Sequence, residues 1–121
     1  MDNIFITVRK DEDVMYEGKA VYKERENSLF LSYTDKDGVM NAVDFSEDLF
    51  VVKRTGEQEI TVYAKKEGDS YIEVENEYGI MEIEITDVSL EYGKDNYKLS
   101  YCLKESDGEI FRFEWNLKKF S

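Results

Sequence analysis

The acidic side chains are the first place to look for chemistry, because they are numerous and often closely spaced. Glu73 and Glu75, and again Glu82 and Glu84, stand two residues apart. On an extended strand such a pair lies roughly 7 Å apart, close to the separation used by glycosidase acid and base pairs. These glutamates alternate with Ile72, Val74, Met81 and Ile83, however, so strand phase sends them to the solvent face. A catalytic acid needs a sheltered site to raise its pKa. The run Asp35-Lys36-Asp37-Gly38 looks like the middle of a calcium loop. Tyr33 occupies the place of the preceding ligand, and no glutamate follows at bidentate distance, Glu47 being the nearest. A hairpin turn accounts for the segment. Cys102, the single cysteine, can form no internal disulfide and has neither a histidine partner nor a cation beside it in sequence, so it reads as an ordinary thiol.

The chain contains no histidine at all. That removes Ser-His-Asp and Cys-His nucleophile systems, the usual zinc sites, a proximal haem ligand and any imidazole switch. The resulting expectation is a protein without catalytic residues, resident metal or cofactor.

What remains is recognition. Arg54 shares strand phase with Phe50 and Val52, so one face reads Phe, Val, Arg. An arginine at the inner rim of an aromatic barrel can clamp a carboxylate or phosphate head. The alternative is that the strand stops at Lys53 and Arg54 merely opens the Thr55-Gly56 turn. Nine tyrosines and seven phenylalanines are available to line a cavity. Tyr33, Tyr63 and Tyr101 matter most, because a buried phenol needs a hydrogen-bond partner and can offer that bond to a ligand. Small barrels also fill their interiors with such side chains, so a filled core and a partly open cup both stand.

These residues sit on strands. Period-two alternation recurs from end to end, punctuated by Gly, Asp and Asn. It predicts strands near 4–9, 14–23, 28–35, 39–46, 49–54, 59–65, 70–76 and 79–90, then a closing hairpin. In that hairpin Tyr97, Leu99, Tyr101 and Leu103 face the same way as Phe111, Phe113, Trp115 and Leu117. Asp107-Gly108 lies between them, a turn dipeptide that tolerates positive φ. Further turns are signalled at Asp37-Gly38, Thr55-Gly56, Glu67-Gly68-Asp69, Tyr78-Gly79 and Gly93–Asn96. In 79–90 the apolar phase slips between Ile85 and Val88, which requires a bulge near Thr86-Asp87. Gly18 marks a bend in the second strand. No helical stripe and no linker interrupts the pattern. The fold class expected is all-β: a single domain over 1–121, an antiparallel up-and-down barrel of about eight to ten strands.

The formal net charge is −12, beyond the magnitude of about 2 to 8 common for small domains. With no basic stripe, nucleic acid and anionic membrane surfaces are not expected partners. The N-terminal residues lack a basic opening and a long apolar stretch, and the longest apolar run is Leu49-Phe50-Val51-Val52. A cytoplasmic location is the expectation.

One resemblance runs through nearly the whole chain. Leu31-Ser32-Tyr33 precedes a hairpin, Arg54-Thr55-Gly56 makes a turn, Tyr78-Gly79 opens a long strand, and Tyr101-Cys102-Leu103 lies late in the sequence. In this order the motifs resemble the YwiB-like family of uncharacterised bacterial proteins. The resemblance implies a calycin-like β-barrel and assigns no catalytic residues. Asn76 stands where the family often has threonine, and Thr34 intervenes before the acidic Asp35. The functional expectation is a small, partly apolar or amphipathic ligand held in the barrel mouth by Arg54, Tyr33, Tyr63 and Tyr101. The alternatives are a protein-interaction module, using a strand edge or the acidic exterior, and an enzyme using rim carboxylates.

Overall fold

The structure is a computed structural model, which describes residues 3–120. Ten strands follow one another: β1 (Asn3–Lys10), β2 (Asp13–Arg25), β3 (Ser28–Thr34), β4 (Met40–Ser46) and β5 (Leu49–Thr55), then β6 (Glu59–Lys65), β7 (Ser70–Asn76), β8 (Gly79–Tyr92), β9 (Asn96–Lys104) and β10 (Ile110–Phe120). Each pairs antiparallel with its neighbours in sequence, and β1 pairs with β10 to close the barrel. The up-and-down barrel expected from the alternation is therefore present, with ten strands. Closure satisfies the ladder hydrogen bonds that an open sheet would leave at its two edges.

Strand phase sets the interior. Ile4, Ile6 and Val8 from β1 meet Trp115 and Leu117 from β10, and Leu29 and Leu31 from β3 meet Val43 and Phe45 from β4. One end is solid. Phe45 packs edge-on against Phe50 with ring centroids 5.1 Å apart, and Tyr92 and Tyr97 lean on Phe45 at 5.8 and 6.1 Å. Tyr97 satisfies its hydroxyl by donating to the Lys94 carbonyl. Outside this plug, Lys119 of β10 reaches Glu24 of β2 at 2.7 Å, bridging over β1 and lying across the Tyr97 and Tyr22 rings.

Three local features bend the wall. The register slips between Thr86 and Ser89, with Asp87 at φ 52°, so the bulge demanded by the apolar phase of β8 is there. It lets Val88, Leu90 and Tyr92 return to the interior after Ile83 and Ile85. A second slip lies between β1 and β2 at Val8 and Arg9. The β3–β4 and β9–β10 turns share one build: Gly38 and Gly108, at φ 78° and 92°, donate back to Asp35 and Glu105. Only glycine takes that left-handed position without strain.

Candidate functional site

The other end of the barrel is open. Its cavity of about 420 Å³ is lined by residues of nine strands, all but β8, and of the β3–β4 turn. Two kinds of wall face each other. Tyr101 of β9 and Phe113 and Trp115 of β10 form a near-parallel bank, with centroids 5.2 to 6.4 Å apart and planes within 28°. The bank continues past Val8 to Tyr16 of β2, which stacks on Tyr33 of β3 at 4.4 Å. On the far side of the circuit Val52, Ile60, Val62 and Ile72 of β5–β7 present an aliphatic surface.

Tyr16 owes its place to Gly18. A β-carbon at Gly18 would come within 2.6 Å of the Tyr16 hydroxyl, so the bare backbone provides the space for the ring tip. The β1–β2 ladder keeps its register at Gly18 and slips instead opposite Met15, so Gly18 serves the wall by leaving room for Tyr16. β2 and β3 pair only over Tyr22–Arg25 and Ser28–Leu31, and toward the mouth the two strands part. The Tyr16–Tyr33 stack spans this parting.

Arg54 belongs to β5 and lies at the mouth, so the strand continues past Lys53 as the inner-rim reading requires. Its charge is already matched. Nε donates to Asp35 Oδ2 at 2.9 Å and Nη2 donates to Asp37 Oδ2 at 3.3 Å. Asp35 is enclosed by donors: Asn41 Nδ2 reaches the same oxygen, and the Asp37 and Val39 amides reach Oδ1. Partial burial works against its ionisation, but Arg54, Asn41 and the two amides prevail and hold the carboxyl below the usual range. The Asp35–Gly38 segment is the hairpin turn anticipated from its sequence, and no group of possible metal ligands gathers among the described residues.

The phenols divide. Tyr33 and Tyr101 line the cavity at 8% and 2% exposure. Burial drives the Tyr33 hydroxyl up to about 12, opposed chiefly by the Trp115 indole N–H. That N–H is buried and makes no hydrogen bond of standard geometry. Burial also pushes Tyr101 strongly upward, with Tyr33 close enough to add to the effect. The Tyr101 hydroxyl has no hydrogen-bond partner among the described residues. Tyr63 is placed differently from the expectation: it does not line the cavity. It stands between the inward-facing Val62 and Ala64 and packs against Tyr71, 4.9 Å away. Its position in β6, one residue out of phase with both, turns it outward.

Tyr16, Asp35, Asn41 and Trp115 complete the site beyond the residues singled out from sequence. Asp35 was legible as the next inward position after Tyr33, and Tyr16 as the inward neighbour of Gly18. The glutamates Glu75, Glu82 and Glu84 are exposed on the outer face, and Glu73 lies beside Glu82 across the β7–β8 ladder. Cys102 is half-buried on the outer side, next to Arg112.

No family model and no curated relative matches the sequence. Among solved structures, the ywiB protein from Bacillus subtilis superposes with a TM-score of 0.61, covering 99% of this chain and 90% of that one at 14% identity. The chain is YwiB-like in fold. The likeness read from short ordered motifs thus holds at the level of three-dimensional structure, over nearly the full length of both YwiB and this chain.

Proposed function

We propose that this protein binds a small, partly apolar ligand in the open end of the barrel, in the cytoplasm and without catalysing a reaction. The observation that carries the reading is the cavity of about 420 Å³, walled by aromatic rings and holding an unpartnered Tyr101 hydroxyl. A volume of this size falls within the roughly 300–1,000 Å³ of small-molecule pockets, which combine apolar walls with few polar groups. The acidic exterior argues against nucleic acid and anionic membranes as partners. Native mass spectrometry of the purified protein tests the proposal by revealing a retained small molecule. Thermal-shift screening tests it again, because any ligand of the folded state raises Tm by mass action. A protein with neither a retained molecule nor a stabilising compound contradicts the reading.

A second reading rests on the β7–β8 hairpin. β9 joins β8 only from Ile85 onward, so residues 79–84 of β8 have a ladder on the β7 side alone. Ile80 and Met81 lie there, beside the 91%-exposed Tyr78 of the preceding turn. Such an edge accepts an added strand from a protein partner. Met81→Lys should abolish an association of this kind and leave ligand-induced shifts in Tm unchanged.

A further inference from the structure

The same cavity also restricts the kind of ligand, an inference that rests on the ligand-binding reading. Its charged groups are Asp35, Lys36, Asp37 and Arg54, two of each sign. Arg54 is engaged by both carboxylates, and Lys36 is exposed at the lip. Deeper in, the lining holds no cation. A carboxylate or phosphate drawn among the rings would be buried without a counter-charge, or would have to detach Arg54 from Asp35. Either course is costly. An anionic head left at Lys36 would stay in water, where an ion pair contributes little.

The deep polar groups ask for something else. The Tyr101 hydroxyl hydrogen-bonds to no other side chain or backbone group among the described residues, and it is not fully enclosed, so it faces the open cavity with a proton to donate. The Trp115 N–H nearby is a donor only, and it reaches the Tyr33 oxygen without making a proper bond. An acceptor supplied by a ligand would answer Tyr101, whereas a ligand that covers the hydroxyl without offering one leaves it unpaired. Shape narrows the class further. Tyr101, Phe113 and Trp115 lie within 28° of parallel, and the aliphatic side chains of β5–β7 close the opposite side. A flat ring placed parallel to these three extends their stack, with the aliphatic side chains beyond it.

The geometry points to an uncharged, flat, ring-bearing ligand whose carbonyl oxygen accepts a hydrogen bond from Tyr101. This departs from the arginine-clamped acid that the sequence suggests.

Four probes of matched size and differing chemistry decide it: 2-naphthamide, 2-naphthoate, naphthalene and laurate, measured by calorimetry and thermal shift on the full chain. Naphthamide should bind about tenfold more tightly than either naphthalene or naphthoate, the ratio for one satisfied buried donor. Tyr101→Phe should erase the preference over naphthalene, with the variant's own cooperative thermal transition showing that it is folded. Equal binding of naphthamide and naphthalene overturns the role of Tyr101. Tighter binding of naphthoate or laurate, weakened by Lys36→Gln or Arg54→Gln and not by Tyr101→Phe, overturns the uncharged class and keeps the ligand reading. No binding by any probe, together with no retained small molecule in native mass spectrometry, overturns both.

Discussion

Arg54 Nε lies 2.9 Å from Asp35 Oδ2, joining the end of β5 to the turn after β3 across nineteen positions of the chain. The pair turns the arginine that lines the cavity from a free anion site into a structural clasp. It also fixes the turn that carries Lys36 and Asp37 over the opening.

Asp35→Asn should therefore destabilise the fold by about 2 kcal/mol at neutral pH, the scale of hydrogen bonds to a charged group. The folded-state pKa of Asp35 is depressed, so its contribution is present above the unfolded value of about 3.9 and fades as pH falls through the folded one. Urea unfolding at pH 7 and pH 3 checks this. The gap between wild type and variant should be wide at the first and narrow at the second. An equal gap at both would mean that the carboxylate charge is not what holds the turn.

The cavity phenols make the opposite prediction in alkali. Tyr33 has its pKa raised to about 12, and Tyr101 is raised as well. Their contribution to stability is complete below the unfolded value of about 10 and is lost as pH rises through the folded one. Tyrosinate absorbance should show these two titrating above the ordinary phenol range, in step with unfolding. Tyr101→Phe should move alkaline unfolding to higher pH relative to the variant's own stability at pH 7. Titration of Tyr33 and Tyr101 near 10 in the folded protein would contradict their buried placement.

Gly18→Ala should push Tyr16 off Tyr33, because the new methyl group claims the position of the phenol tip. A cost of about 1 kcal/mol is expected, the scale of a stacked aromatic pair. Made in a Tyr16→Ala background, the same change should cost much less. The double-mutant cycle reads the coupling between the two directly.

At the closed end, Glu24→Gln should destabilise the barrel by roughly 1 kcal/mol, since a charged partner for the mostly buried Lys119 becomes neutral. Burial opposes the Lys119 charge, while Glu24 and Tyr97 sustain it and raise its pKa. That stabilising share is full below the unfolded lysine value of about 10.4 and disappears as pH rises past the folded one. Chemical denaturation at pH 8 should show the loss, and Lys119→Met should show little further change when Glu24 is already replaced.

Much of this architecture was legible before folding. Alternation placed Tyr33, Val52, Arg54, Tyr101 and Trp115 on inward faces, and the slipped phase of β8 located its bulge, because a strand's side chains have a period of two wherever the strand lies. The predicted boundaries of 59–65 and 70–76 coincide with β6 and β7, since Gly and charged turn residues end both. The same rule, applied to Tyr63 beside Val62 and Ala64, turns it outward and away from the site.

Residue phase says which way a side chain faces and not what it meets there. Arg54 meeting Asp35, Tyr16 leaning over Gly18, and Tyr101 left without an acceptor all depend on ladders closing between distant segments. Whether the interior was filled or hollow was also decided there. The aromatic residues are plentiful enough for either outcome. Phe45, Phe50, Tyr92 and Tyr97 converge to plug one end, while the parting of β2 from β3 and the flat bank along β9 and β10 leave space at the other. Alternation follows from the backbone of a single strand, whereas a cavity is the volume left over when ten strands have taken their registers together.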